Sequence, residues 1–207
     1  MHARVVRING SPDRIDEGIA NFRTQAVPAL KQQEGYAGSR LFVNRGAGSG
    51  MVITFWRDEQ TLRASEEAMR GLRSDGTARF GAEMQTPENY EAAVQHRPRP
   101  TEQGNWVRIT TVSGDPAKVD EGIRHFESQV IPSFDRMRGF RAAVLLVDRA
   151  TGAAVAGTVW DSQRDLDDSA REATPIRATA TKVMGATSPQ VENFEVEFAE
   201  LLAPVGS

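Results

Sequence analysis

The sequence predicts an α+β fold made of two ferredoxin-like βαββαβ repeats that pack sheet to sheet. The first observation behind this prediction is an internal repeat. The stretch "IDEGIANFRTQAVP" beginning at Ile15 returns as "VDEGIRHFESQVIP" beginning at Val119, 104 residues later. The same shift aligns the chain with itself without a gap over roughly ninety residues, which indicates a duplicated domain. The second observation is the order of the secondary-structure elements that the residue patterns of each copy predict, which is strand, helix, hairpin, helix and strand.

The chain length agrees with a duplicated domain. A chain of 207 residues suits two small domains and buries roughly 70% of the surface that its unfolded form exposes. We expect a first repeat at residues 1–95, a linker at 96–104, a second repeat at 105–199 and a C-terminal tail at 200–207.

Charge and cysteine content exclude several classes of function. The 25 Lys and Arg residues against 28 Asp and Glu residues do not form the basic face that nucleic-acid binding requires. The absence of cysteine excludes disulfides, thiolate metal sites and a cysteine nucleophile. The 3 histidines are far apart, so we predict no metal site. No Gly-rich phosphate loop lies between a strand and a helix, and we predict no cofactor. No apolar run at the start resembles a signal peptide or membrane span. We therefore expect a cytoplasmic protein without nucleic-acid or membrane partners.

In each copy the first strand leads into a helix through a proline. The strands are predicted at residues 3–9 and 106–113, where β-branched residues end at a turn. Ser11 and Asp115 each precede a proline, which places an N-cap side chain before the first helical position. Both helices carry an apolar stripe with the i, i+4, i+7 spacing of one buried face: Ile15, Ile19, Phe22, Ala26 and Leu30, and Val119, Ile123, Phe126, Val130 and Phe134.

Three further features of this helix recur. Gly18 and Gly122 each cost about 1 kcal/mol inside a helix, which indicates close packing against the sheet. Pro28 and Pro132 are expected to kink or end the helix, because proline lacks the N–H of the helical hydrogen bond. The repeated Asp-Glu pair beginning at Asp16 favours a solvated face over an acid/base pair, since adjacent helix residues do not face each other.

A β-hairpin follows the helix in each copy, with a tip near Gly48 or Gly152. The strand after the first tip is apolar on both faces, since Met51, Ile53 and Phe55 alternate with Val52, Thr54 and Trp56. Each sheet therefore has a face that its own helices cannot cover. We expect the two bare faces to pack together, as in a two-chain barrel built within one chain.

The segments "TFWRDEQTLRASEE" and "TVWDSQRDLDDSAR" end a third strand in tryptophan and continue into an amphipathic helix. This pattern resembles the antibiotic biosynthesis monooxygenase type of the dimeric α/β barrel superfamily, and the resemblance covers both repeats. It implies an intramolecular dimeric α/β barrel. The superfamily includes cofactor-free monooxygenases, haem-degrading enzymes, isomerases and proteins without a known reaction, so the resemblance implies the fold more strongly than the activity.

The resemblance also assigns expectations to single residues. Trp56 and Trp160 match a tryptophan that lines the cavity in haem-degrading and quinone-forming members, although a large aromatic at a strand end also fills a core. The position of the haem-ligating histidine in haem-degrading members holds Glu66 in one repeat and Ala170 in the other. Quinone-forming members tend to have an asparagine and a tyrosine near the tryptophan, and this chain has neither. Haem degradation is therefore not expected, and quinone-type oxygenation is left in doubt.

Polar residues near the tryptophans are the candidates for chemistry. A cofactor-free oxygenase must deprotonate its substrate and stabilise the developing oxyanion. Arg4 and Arg108 are weak catalytic candidates, because a strand arginine more often faces solvent. His125 is a third, on an outer helix where a surface or structural role is favoured. The predicted substrate-binding residues are Trp56, Trp160, Thr54, Thr158 and Tyr36.

Two functions of different class follow. The first is a cofactor-independent monooxygenase or related isomerase that acts on a small aromatic or polyketide-like molecule. The second is a non-catalytic barrel that binds a small apolar molecule or scaffolds a partner. A ligand-sized cavity lined by a tryptophan in at least one repeat is expected of the first. Because the fused barrel already satisfies the usual dimer interface, we expect a monomer.

Overall fold

The computed structural model describes residues 1–80 and 82–202, with side chains described for all of these except residues 77–80. The chain divides into two compact units. Unit 1 comprises Met1–Asn89 and the chain from Val196 onward, and unit 2 comprises Tyr90–Glu195. Residues 203–207 of the predicted tail lie outside the described residues.

Unit 1 contains the strand, helix, hairpin and helix predicted for the first repeat. Its strands are β1 (His2–Asn9), β2 (Tyr36–Asn44), β3 (Ser49–Trp56), β4 (Glu83–Met84) and the last residues of β9 (Gln190–Leu201). Neighbouring strands follow the order β9-β2-β3-β1-β4. Its helices are α1 (Ile15–Asn21), α2 (Val27–Lys31), α3 (Glu59–Ala64) and α4 (Glu66–Phe80).

Unit 2 contains the strand, helix, hairpin and helix predicted for the second repeat. Its strands are β5 (Glu88–His96, from Tyr90 onward), β6 (Trp106–Ser113), β7 (Phe140–Val147), β8 (Ala153–Trp160) and the first residues of β9. They follow the order β9-β6-β8-β7-β5, so the second hairpin pairs with its first strand as the first hairpin does. Its helices are α5 (Val119–His125), α6 (Ile131–Phe134), α7 (Gln163–Asp168) and α8 (Ala170–Val183).

The first long helix of each unit changes its winding before the proline. A 3-10 turn precedes α1 and α5, and a π-helical turn separates α1 from α2 and α5 from α6. Pro28 and Pro132 lie in the first turn after the π-helical segment. Because proline has no N–H for an i to i−4 bond, the wider turn lies where that bond is missing. The helix therefore changes its winding before each proline and continues through it rather than ending there, and the expected kink stays a prediction.

The predicted N-caps differ between the copies. The carboxylate of Asp115 accepts a hydrogen bond from the Ala117 N–H at 2.9 Å, as an N-cap residue does. Ser11 has the extended backbone of an N-cap but makes no side-chain capping bond. The helix start was thus predicted correctly in both copies, and the capping bond in one.

Strand β3 is buried on both faces, as its sequence predicted. Met51, Ile53 and Phe55 are at most 1% exposed. On the other face, Trp56 belongs to an apolar cluster with residues of α1, α2 and α4, and Val52 packs against that cluster. Unit 2 has the corresponding cluster around Trp160. The space between sheet and helices in each unit is where the polar candidates lie.

Candidate functional site

Each unit contains a cavity bounded by its sheet and its helices. The cavity of unit 1, called cavity 1, has a volume of about 180 Å³, and that of unit 2, cavity 2, has a volume of about 80 Å³. Arg4, Phe22 and Thr54 line cavity 1, and their counterparts 104 residues later line cavity 2. The duplication has therefore produced two equivalent sites of different size.

An arginine and a threonine form a polar corner in each cavity. Arg4 of β1 lies directly opposite Thr54 of β3, and Arg108 of β6 lies opposite Thr158 of β8. The expectation that these arginines face solvent is wrong, because Arg4 is 3% exposed and Arg108 is 6% exposed. Each side chain runs beneath the helices, where protein acceptors replace the water that a buried guanidinium loses.

Arg4 is held by the loop and helix that follow β3. Its Nη1 donates to Ser65 Oγ at 3.1 Å and its Nη2 to the Leu62 carbonyl oxygen at 2.8 Å. Its Nε donates to Asn89 Oδ1 at 3.2 Å, and Glu66 Oε2 lies 3.0 Å from Nη2. Burial lowers the pKa of Arg4, while Glu66 opposes that shift. Among the described bonds, one N–H on Nη1 is not used and is free to meet a ligand.

Trp56 contributes to cavity 1 through Thr54. The indole Nε1 donates to Thr54 Oγ1 at 3.0 Å, and Trp160 makes the same bond to Thr158 at 3.2 Å. Because an indole N–H can only donate, the threonine oxygen must accept, which leaves its own O–H to be donated elsewhere. Both tryptophans are 0% exposed and lie behind the described lining residues. Each tryptophan therefore orients a threonine that lines its cavity.

Tyr36 lies beside Trp56, behind the cavity wall. Its ring meets the indole edge to face with centroids 5.9 Å apart, and its hydroxyl shares a hydrogen bond of 2.7 Å with Ser39 Oγ. Burial raises the pKa of Tyr36 to about 12. Phe140 takes this position in the second repeat, so the ring fits the site without its hydroxyl.

We expect the raised pKa of Tyr36 to make the protein less stable in alkali. The neutral phenol is favoured in the folded state, so the stabilisation is present below the unfolded pKa near 10 and is lost as pH rises towards about 12. At about pH 11.5 the loss relative to pH 8 is about 2 kcal/mol. Urea unfolding of the wild type and Tyr36→Phe at both pH values measures it. An equal loss in both proteins would contradict this assignment.

Met184 and Phe134 explain why cavity 2 is smaller. A Cβ at Gly122 would lie 1.8 Å from Met184 Sδ, whereas a Cβ at Gly18 would meet no described atom within 4 Å. Phe134 replaces Leu30 of the first repeat and packs edge to face on Trp160 with centroids 5.8 Å apart. The close packing predicted at both glycines is thus found at Gly122, against the residue that follows α8 rather than against the sheet.

The described lining of both cavities is poor in titratable groups. It includes arginines and hydroxyl groups but neither a carboxylate nor an imidazole. His125 is half-buried at the end of α5, outside the lining of cavity 2. Within residues 1–80 and 82–202, no three His, Cys, Asp or Glu residues come together in a way that could hold a metal ion. None of the helices described is both long and apolar enough to span a membrane.

Sequence reasoning missed the residues that hold the arginines. Ser65 and Ser169 each accept from the arginine of their own repeat, at 3.1 Å and 3.0 Å. Arg73 and Arg177 also recur and line the two cavities. Their recurrence at the repeat spacing was a signal that could have found them.

Comparison with known proteins gives matches in sequence and in structure. Residues 1–69 match the family model described as antibiotic biosynthesis monooxygenase. An uncharacterized protein of Mycobacterium tuberculosis is 32% identical over 206 residues, which cover 99% of this chain and 91% of that protein. The match over both repeats shows that the relative shares the duplicated organisation.

Two solved structures resemble the whole chain. A candidate monooxygenase of Fusobacterium nucleatum has a TM-score of 0.71 at 13% identity, covering 97% of this chain and 94% of that one. An anthrone oxidase-like protein has a TM-score of 0.67 at 16% identity, covering 97% and 93%. These likenesses confirm the predicted fold class, α+β with ferredoxin-like repeats.

Proposed function

Because this chain belongs to the antibiotic biosynthesis monooxygenase family, we propose that it oxygenates a small hydroxylated aromatic or polyketide-like molecule in cavity 1. The observation that carries the proposal is the combination of an apolar cavity with the donors of Arg4 and Thr54 at one corner. In this proposal the oxidant is molecular oxygen, and the chain's own residues bind the substrate and stabilise its anion.

The size and lining of cavity 1 support an aromatic ligand. Its volume of about 180 Å³ exceeds the roughly 150 Å³ of a known protein cavity that binds benzene. Aliphatic and aromatic side chains line most of it, including Ile19, Phe22, Leu41 and Val43. An aromatic ring would displace water from this apolar lining, while a ring hydroxyl or carbonyl oxygen would contact Arg4 and Thr54 at the polar corner.

The polar corner supplies what oxygenation through a substrate anion needs. A substrate with an activated methylene or phenol loses a proton, and the resulting anion gives one electron to O2. The radical pair combines to a peroxide, which loses water. A methylene group and O2 thus yield a carbonyl group and water, and a phenol with a ring C–H at the site of attack and O2 yield a quinone and water. In this proposal the Thr54 O–H and the remaining Arg4 N–H donate to the oxygen on which the negative charge develops. The likeness to an anthrone oxidase-like protein supports this substrate class.

A cavity-filling variant tests whether cavity 1 is the reaction site. We expect Gly18→Leu to abolish oxygen uptake, because the new side chain enters space that no described atom occupies within 4 Å of its Cβ. The same change should raise the melting temperature by about 2 °C or more, since Gly costs about 1 kcal/mol in a helix and leucine fills a void. An oxygen electrode and product analysis with hydroquinone, a naphthalenediol and anthrone measure activity.

Gly122→Leu is the matched control in the second repeat. Its Cβ would lie 1.8 Å from Met184 Sδ, so we expect a loss of about 1–3 kcal/mol of stability from overpacking, with oxygen uptake retained. If Gly18→Leu binds and oxidises substrate as the wild type does, the reaction does not occur in cavity 1. No oxygen uptake by the wild type with any of the three compounds would count against oxygenation of this substrate class.

One observation favours a non-catalytic binding protein as the second candidate. The described lining of cavity 1 offers no carboxylate or imidazole to remove a proton, so the proposed reaction depends on a substrate acidic enough to ionise by itself. A protein that only binds would show saturable binding of aromatics that Gly18→Leu removes, without oxygen uptake. Binding and oxygen uptake measured on the same sample separate the two candidates.

A further inference from the structure

Cavity 2 contains two arginines that the proposed oxygenation does not use. Arg108 and Arg177 both line it, and Arg108 is 6% exposed. Among the described residues, neither arginine has a carboxylate within ion-pair distance, and Arg177 Nη2 donates to Thr174 Oγ1 at 3.3 Å. Buried cations are normally paired, so two arginines at one small cavity require an explanation.

The first repeat shows what normally neutralises this pair. There the equivalent residues Arg4 and Arg73 both bind Glu66, the first residue of α4. The position of Glu66 in the second repeat is Ala170, the first residue of α8. The second repeat therefore has both cations and lacks the anion that neutralises them in the first.

Arg108 is nevertheless held in the same geometry as Arg4. Its Nη1 donates to Ser169 Oγ at 3.0 Å and its Nη2 to the Leu166 carbonyl oxygen at 2.8 Å. These bonds leave the Nε–H and one N–H on each terminal nitrogen for other acceptors. Burial first, and then the charge of Arg177, lowers the pKa of Arg108, while Asp167 acts in the opposite direction. The Arg108 guanidinium is thus held in a fixed orientation close to the positive charge of Arg177.

We propose that cavity 2 binds a small organic carboxylate with a short apolar tail. The carboxylate accepts from Arg108 and Arg177 and takes the place of the missing Glu66 carboxylate, since a guanidinium binds a planar carboxylate through two parallel hydrogen bonds. The Thr158 O–H, left free by the bond from Trp160, adds a third donor. A volume of about 80 Å³ admits a tail of a few carbons, and Val112, Phe126 and Ile176 supply the apolar wall.

Calorimetric titration of the full chain with butyrate tests the proposal. Butyramide, which has the same shape without the charge, is the matched ligand. We expect butyrate to bind one site with a Kd of about 1 mM or below and butyramide to bind at least about ten-fold more weakly. Inorganic phosphate at the same ionic strength should bind more weakly than butyrate, because it gains nothing from the apolar wall.

Two variants exchange the charge arrangement between the repeats. Ala170→Glu should weaken butyrate binding at least about ten-fold by supplying an internal carboxylate. It should not destabilise the chain, since an acidic residue in the first turn of a helix is favourable. Glu66→Ala should add a second butyrate site in cavity 1, because it recreates there the arrangement of the second repeat. Arg177→Gln, at a half-buried position, should weaken binding without the folding defect that loss of buried Arg108 risks.

Three results would overturn the proposal: equal affinity for butyrate and butyramide, phosphate binding as tight as butyrate binding, or unchanged butyrate affinity in Ala170→Glu. The second result would indicate a simple anion site without a role for the apolar wall. The proposal does not rest on the oxygenation in cavity 1, because its readout is binding and its variants lie in unit 2 or remove Glu66. A chain that fails to oxygenate aromatics can still bind butyrate, and the reverse also holds.

Discussion

Thr54→Val is expected to lower kcat for oxygenation by about 10²–10³, the loss seen when one donor to a developing oxyanion is removed. The hydroxyl of Thr54 is aimed by Trp56, whose Nε1 donates to it at 3.0 Å, so its hydrogen is available to the ligand in cavity 1. Valine has nearly the same shape and cannot donate. Steady-state oxygen uptake with the best substrate of the panel measures the change.

The second repeat supplies a control for the structural cost of this change. Thr54→Val leaves the buried Trp56 N–H without its acceptor, which costs about 1–3 kcal/mol of stability. Thr158→Val does the same to Trp160, so the two variants should lose similar stability while only Thr54→Val loses activity. Thr54→Ser keeps the hydroxyl and should retain most of kcat. Equal loss of activity in both valine variants would mean that the hydroxyl acts only through stability.

The repeat and its element order could be predicted from sequence because they depend on local patterns. Proline after a cap residue, apolar residues at helical spacing and glycine at a hairpin tip each specify a few neighbouring residues. The helix start near Pro12 and the hairpin tip near Gly48 were found in this way. The apolar residues on both faces of β3 predicted that both faces of its sheet are covered. Met51 on one face and Trp56 on the other are indeed buried.

The burial of Arg4 could not be predicted because β1 is covered on both sides. Ala3 and Val5 are at most 1% exposed on one face, and Val6 is 6% exposed on the other, so the alternation that normally marks a buried face is absent. In such a strand the sequence pattern does not indicate which face of the sheet a polar residue lies on. Its environment depends on Ser65 and Glu66, about sixty residues away in the chain, and only the fold brings them together.

The difference between the cavities was visible in sequence but could not be interpreted there. Glu66 and Ala170 were both noticed only as residues at the position of the histidine in haem-degrading members, because the family pattern directs attention to histidine. The structure gives the same substitution another meaning, since Glu66 binds two arginines that recur in the second repeat as Arg108 and Arg177. Whether a buried charge is neutralised depends on which residues the fold brings together. An alignment of the two repeats shows the residues but not their contacts.

Gly152→Ala is expected to be the most destabilising glycine substitution in unit 2, at about 3–5 kcal/mol. Gly152 has a φ of +76°, a region that costs an L-residue about 1–2 kcal/mol. Its Cβ would also lie 2.4 Å from the Gly114 carbonyl oxygen and 2.8 Å from Pro116 N. Both contacts are with backbone, so the hairpin tip and the start of the helix must separate, which weakens the bond from Gly114 N–H to Gly152 O at 3.0 Å.

Gly104→Ala isolates the backbone contribution, because Gly104 has a φ of +84° but no described atom lies within 4 Å of its would-be Cβ. We expect it to cost about 1–2 kcal/mol, and urea unfolding of both variants gives the difference. Comparable losses would mean that the tip of the hairpin yields at little cost and that the contact with Gly114 is not a fixed feature of the fold. A much larger loss for Gly152→Ala would show that this contact is rigid.

Unit 1 has the same geometry at its hairpin tip, where a Cβ at Gly48 would lie 2.4 Å from the Gly10 carbonyl oxygen. Because Gly10, Ser11 and Gly48 line cavity 1, the rigid tip would then also fix that part of the wall of the proposed oxygenation site.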